Sequence, residues 1–140
     1  YAESNDGINW TKYAGNRVLE GGAGEWDSIV CDLRGAYDRL SGEYSGLYFG
    51  SKTVAEGAQI GLVHSTDGKE WTKYSGNPVI TQLSNSWEEQ EIGPKHLLKK
   101  GSNWILFYEG KGSFIYWIIG VMYSVDLINW CREPFLSSLF

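Results

Sequence analysis

Apolar and polar positions alternate along this chain in short runs of four to ten residues, separated by clusters of Gly, Asn, Asp and Ser. No segment sustains apolar residues at the i, i+3, i+4, i+7 spacing of an amphipathic helix, so helix is not expected. The runs predict strands at Asp27 to Arg34, Glu43 to Gly50, Gln59 to Ser65 and a short one at Trp71 to Tyr74. A second set follows at Glu89 to Leu98, Asn103 to Gly110, Trp117 to Ser124 and Asn129 to Arg132.

The two sets are copies. Ser4, Asp6, Gly7, Trp10 and Tyr13 return 61 residues later as Ser65, Asp67, Gly68, Trp71 and Tyr74, and a third copy, Ser124, Asp126 and Trp130, follows 59 residues after the second. Other markers keep step. Gly15-Asn16 matches Gly76-Asn77, Trp26-Asp27 matches Trp87-Glu88, Tyr48 and Gly50 match Tyr108 and Gly110, and Ile60-Gly61 matches Ile119-Gly120. Self-similarity at a fixed period signals a repeat architecture. Four short antiparallel strands per unit, repeated radially, make the blades of a β-propeller. The expected fold is therefore all-β. Residues 1–25 would end one blade, 26–75 would form a second and 76–140 a third.

Within the S-x-D-G-x-x-W block each residue has a mechanical use. Asp can accept from backbone amides in a tight turn, Gly takes positive φ, Ser ties the strand end and Trp packs between blades. Recurrence at equivalent places makes these residues structural, and Trp10, Trp71 and Trp130 are expected in the core. A lone His64 in a strand reads as a packing or surface residue.

Composition adds limits. With 42% hydrophobic and 21% charged residues this is an ordinary globular composition, enriched in Gly (18), Trp (7) and Tyr (9). A net charge of −5 with scattered Lys and Arg excludes a nucleic-acid backbone as partner. The longest apolar run, Phe114 to Met122, is too short to span a membrane. Cys31 and Cys131 form neither a disulfide framework nor a zinc motif and are expected to be half-buried thiols. No metal or other cofactor is expected. No signal-peptide pattern is visible, and the compartment stays open between secreted and cytoplasmic.

The Ser-x-Asp-Gly-x-x-Trp turn, the Asn77-Pro78-Val79 that follows it, the Trp-acid pair and the aromatic second strand resemble the five-bladed β-propeller glycoside hydrolases. Families 43, 32, 68 and 130 belong to that group. The resemblance runs from Tyr1 to about Phe135. It implies cleavage of glycosidic bonds by carboxylates projecting into a central funnel, with an oligo- or polysaccharide as partner. Five blades would need about twice this length: at this period 140 residues make roughly two and a third blades. Either the sequence is a piece of a longer protein, the preferred reading, or copies associate to cover open blade edges. A non-catalytic glycan-binding or assembly segment is the alternative to an enzyme.

Site candidates come from the two innermost strands and one polar exception. Asp32-Leu33-Arg34 resembles the Asp-Pro-Arg type motif of these families, with Leu33 in place of Pro. Alternation would put Asp32 and Arg34 on one face, as an ion pair or a pocket wall. Glu91 precedes Pro94 by three residues rather than the two of the family 43 acid motif, so only a bulge between them would bring it to the same face. Trp87-Glu88, Ile92-Gly93-Pro94 and Trp104 to Tyr108 with Gly110 resemble family 130 better. There Glu109 replaces the His that helps to hold phosphate in the phosphorylases, and a carboxylate at that place disfavours phosphorolysis. Because its counterpart in the preceding unit is Phe49, the repeat does not require an acid at Glu109. The candidate set is thus Asp32, Glu91 and Glu109 for catalysis, with Arg34, His96 and Trp104 for substrate binding.

Overall fold

A computed structural model describes residues 1–113 and 116–132. The ends of the Phe114–Met122 run and of the expected third blade, residues 114–115 and 133–140, lie outside the described residues. Ten strands and no helix are present among the described residues. Strands β3 (Ile29–Asp38), β4 (Glu43–Ser51), β5 (Gln59–Ser65) and β6 (Thr72–Lys73) form one antiparallel sheet in chain order. Strands β7 (Glu91–Lys100), β8 (Asn103–Lys111), β9 (Ile118–Ser124) and β10 (Cys131–Arg132) form a second with the same order. A two-stranded piece, β1 (Ala2–Glu3) with β2 (Thr11–Lys12), repeats the outer pair of each sheet. These four-stranded meanders have the form of propeller blades. Both inner strands run further toward their hairpins than the apolar pattern indicates, because the polar residues before each turn still pair, as in Asp38 opposite Glu43 and Lys100 opposite Asn103.

The turn between third and fourth strands is built identically three times. Asp67 Oδ1 accepts from the amides of Lys69 (2.8 Å) and Glu70 (2.9 Å), Ser65 Oγ accepts from the Gly68 amide (2.8 Å), and Trp71 Nε1 donates to Gly68 O (3.1 Å). Around Asp6 and Asp126 the same bonds recur, and their amides hold all three carboxyls below the ordinary Asp range. The positive-φ position holds Gly7 and Gly68 but Leu127 in the third copy, at φ 66°. Leu127 is nonetheless buried in the core. A left-handed non-Gly residue costs about 1 kcal/mol, while burying a Leu side chain contributes about 1.5–3 kcal/mol, so burial prevails.

Between the two sheets lies the core. Leu47, Ile60 and Leu62 of the first meet Ile92, Leu106 and Met122 of the second, with Tyr74, Trp87 and Trp130 against them. Trp71 packs over Gly35 and Gly46, where a Cβ would lie 3.1 and 3.0 Å from its ring. Trp10 is different: it is 62% exposed, because β1 and β2 supply no inner strands for it to cover. Both cysteines are free and exposed rather than half-buried, since each lies at a strand position turned away from the core. His64 is half-buried, with Nδ1 3.3 Å from Ser45 Oγ.

The acid of each Trp-acid pair fastens its sheet. Asp27 is 2% exposed, accepts from Tyr48 Oη at 2.7 Å and pairs with Lys73 Nζ at 2.6 Å. Burial pushes its carboxyl upward, but the Lys73 ammonium and the Tyr48 hydroxyl outweigh that and hold it below the ordinary range. In the second sheet Glu88 is buried and paired with Arg132 Nε, beside Tyr108. Burial, then the adjacent carboxylate, drives both tyrosine hydroxyls far above their usual titration.

Candidate active site

The inner strands β3 and β7 lie side by side. Arg34 Nε donates to Lys95 O at 3.0 Å, and four residues further along each strand Asp38 pairs with Lys99. Each inner strand also carries one extra residue at the equivalent point of its ladder. In β3, Cys31 faces Phe49 and Arg34 faces Leu47; in β7, Pro94 faces Tyr108 and His96 faces Phe107. A bulge re-aims side chains that strict alternation would send elsewhere. Asp32 sits on the first bulge in left-handed backbone, φ 53°, a conformation Asp tolerates better than most residues. Lys95 sits on the second.

The two bulges bring four charged groups together. Lys95 Nζ lies 2.8 Å from Glu109 Oε1 and 3.6 Å from Asp32 Oδ2. Arg34 Nη2 donates to Asp32 Oδ1 at 3.3 Å, and its Nη1 to Leu33 O at 3.2 Å. Gly93 lies opposite Glu109 in the ladder, where a Cβ would make ordinary contact with Phe49 at 3.4 Å and Glu109 Oε1 at 3.6 Å. The hydrogen bond to Glu109 is the main reason why the Lys95 ammonium is held above the ordinary Lys value, with Asp32 adding to it and burial and Arg34 opposing. The cluster is reachable from solvent, with the side chains of Glu109 and Asp32 20% and 39% exposed. Asp32 also lines a cavity of about 320 Å³ with Tyr1, Arg17, Val30 and Leu33.

Among the sequence candidates, Asp32, Arg34 and Glu109 therefore meet. Glu91 stands outside their contacts. It faces Lys111 across the ladder and shares the sheet face of Gly93 and Glu109. The strand does carry a bulge, but beyond Pro94, so it leaves the orientation of Glu91 unchanged. His96 is exposed and faces Phe107. Trp104 is 4% exposed, part of the core, with Lys99 Nζ 4.8 Å from its ring centroid, so as placed it offers no face to a sugar. Lys95 lies outside the candidate set. In sequence it is one of several polar or charged residues of its strand, beside Glu91, His96, Lys99 and Lys100. Among the described residues no group of three or more His, Cys, Asp or Glu could hold a metal ion, and no helix is long and apolar enough to cross a membrane.

No protein-family model matches the chain, and no curated protein matches it in sequence. Solved structures do. A family 32 β-fructofuranosidase of Bombyx mori superposes with a TM-score of 0.63 at 20% identity over 81% of this chain. A family 117 glycoside hydrolase of the marine bacterium Zobellia galactanivorans gives 0.62 at 14% identity over 83%. The fold is that of the propeller-type glycoside hydrolases. A β-1,2-mannobiose phosphorylase from Listeria innocua, solved with β-1,2-mannobiose, gives 0.57 at 15% identity over 71%. At these identities the likeness is one of fold. The chain spans 24%, 42% and 28% of those three proteins.

Proposed function

We propose that this chain is part of a carbohydrate-active propeller of the glycosidase type, in which Asp32 and Glu109 act on a glycosidic bond. The observation that carries this reading is the convergence of two carboxylates, one from each sheet, on a single ammonium in an open setting. Two oxygens held 2.8 and 3.6 Å from one nitrogen stand no further apart than the sum of those distances, about 6.4 Å. That upper limit admits the roughly 5–5.5 Å of a nucleophile-and-acid pair and lies just under the roughly 6.5–9.5 Å that leaves room for a water. In such chemistry one carboxyl gives a proton to the leaving oxygen while the other attacks the anomeric carbon or activates water. Arg34 orients Asp32, Glu91 is a further acid on the same sheet face as Glu109, and His96 offers a polar contact at the exposed edge. Glu109 stands against a phosphate in this position by charge repulsion, which favours hydrolysis over phosphorolysis.

The second reading, glycan binding without turnover, is favoured by one fact: both carboxylates of the cluster are already engaged by cations. One experiment separates the two. A panel of neutral oligosaccharides is offered to the chain, with binding read by saturation-transfer NMR and cleavage by release of reducing ends. The expected result is binding that Asp32→Asn and Glu109→Gln each weaken at least about tenfold, the loss of one charged hydrogen bond. Binding without cleavage supports the second reading. Binding unchanged in both variants, or none to any sugar, rejects this cluster as the site.

A further inference from the structure

The cluster contains more than an acid pair. Each carboxylate projects from a different sheet, Asp32 from the bulge of β3 and Glu109 from the end of β8, and the two have no hydrogen bond to one another. The group that touches both is the Lys95 ammonium. Its backbone is fixed as well, because the Lys95 carbonyl accepts from Arg34 Nε at 3.0 Å, and Arg34 in turn donates to Asp32. A closed ring results, running Asp32, Arg34, the Lys95 backbone, the Lys95 ammonium and back to Asp32, with Glu109 hung on the ammonium.

We propose that Lys95 is a positioning residue: its side chain, re-aimed by the bulge in β7, sets the spacing of Asp32 and Glu109 across the seam between the two sheets. The role assigned to the acid pair rests on the glycosidase-type reading, while the clamp itself does not. The clamp also fixes the class of ligand. Both cations of the cluster are already engaged, Arg34 by Asp32 and two carbonyls, Lys95 by the two carboxylates. An anionic sugar that approaches either cation also meets the Asp32 and Glu109 carboxylates beside it, and like charge repels it. Neutral hydroxyls can accept from the ammonium and donate to the carboxylates without breaking the ring. The ligand is therefore a neutral polyhydroxylated one rather than a uronate or a sugar phosphate.

The groups that face Lys95 are Asp32, Arg34 and Cys31 on β3 and Glu109 on β8, with His96 next to it on β7. The test reads the Lys95 ammonium directly, without any sugar, by following its ε-carbon NMR signal against pH in the full chain. In Glu109→Gln the signal is expected to titrate at clearly lower pH than in the wild type, by about one pH unit, as when an opposite charge within a few ångströms is removed. In Asp32→Asn the displacement has the same direction and is smaller, because that contact is longer. A Lys95 signal unmoved in both variants overturns the clamp, whatever the glycan experiment gives. A second measurement addresses the ligand class. Lys95→Arg is expected to keep neutral-oligosaccharide binding within a few-fold and Lys95→Met to lose it, with equal urea midpoints for the two. Equal binding by both variants, or preferential binding of uronates by the wild type, overturns the positioning role. If no sugar binds at all, the glycosidase-type reading fails while the titration still decides the clamp.

Discussion

Two sets of acidic residues in this molecule share a side-chain chemistry and live under opposite physics. Asp27 and Glu88 recur with the repeat and are buried, and each has its own cation and its own tyrosine. Asp32 and Glu109 break the repeat, stand partly exposed and share one ammonium. A buried charge is tolerated only when paired and hydrogen-bonded, so the first set cannot be altered without cost to the sheet and is unavailable for chemistry. The second set carries little of the fold. Sharing a cation leaves each carboxylate with unused acceptor capacity that solvent or a ligand can take up. The lesson is that recurrence with private partners marks architecture, and deviation with shared partners marks side chains that the repeat does not require.

The largest test of this contrast is Asp27→Ala. It leaves the Lys73 ammonium and the Tyr48 hydroxyl without their buried partner and is expected to cost about 3–5 kcal/mol, read from the urea midpoint. A loss below about 1 kcal/mol would remove the distinction between the two acid sets.

An intermediate effect is expected in acid. The Asp27 carboxyl is held below its ordinary value of 3.8 in the folded chain, where the Lys73 bond and the Tyr48 bond outweigh burial. A lowered folded value means that its stabilisation is fully present above 3.8 and is lost as pH falls through the folded value. Asp27→Asn removes that proton uptake. The variant, less stable at about pH 5, is expected to lose less further stability than the wild type on going to about pH 3. Parallel losses in the two proteins would show that Asp27 does not contribute to the acid limb.

The smallest effect is expected at the open cluster. Asp32→Asn, which keeps a residue suited to the left-handed backbone at φ 53°, breaks ion pairs whose members are each about a third exposed, and such pairs contribute roughly 0–1 kcal/mol. Its urea midpoint should lie close to that of the wild type, and raised salt should narrow the difference further. A cost comparable to that of Asp27→Ala would place Asp32 among the architectural acids.

The sequence by itself determined the β architecture. The Ser-Asp-Gly-Trp turns are local: each is closed by bonds between residues at most three apart, so their spacing fixes where strands end, and alternation fixes which faces are apolar. Even Leu127, which breaks the Gly rule, stayed in register because the Ser and Asp around it make the same bonds. The candidate site was only half legible. Glu109 stood out as an exception to the repeat, and Asp32 and Arg34 as a charged pair in an otherwise apolar strand. Lys95, the burial of Trp104 and the separation of Glu91 from the others did not. The meeting of Lys95 with Asp32 and Glu109 depends on two bulges, each one extra residue in a ladder, and on the packing of β3 against β7 across a gap of 61 residues between Arg34 and Lys95. A bulge leaves no periodic mark in sequence, and which side chains meet across two sheets is settled only when both are packed against one core.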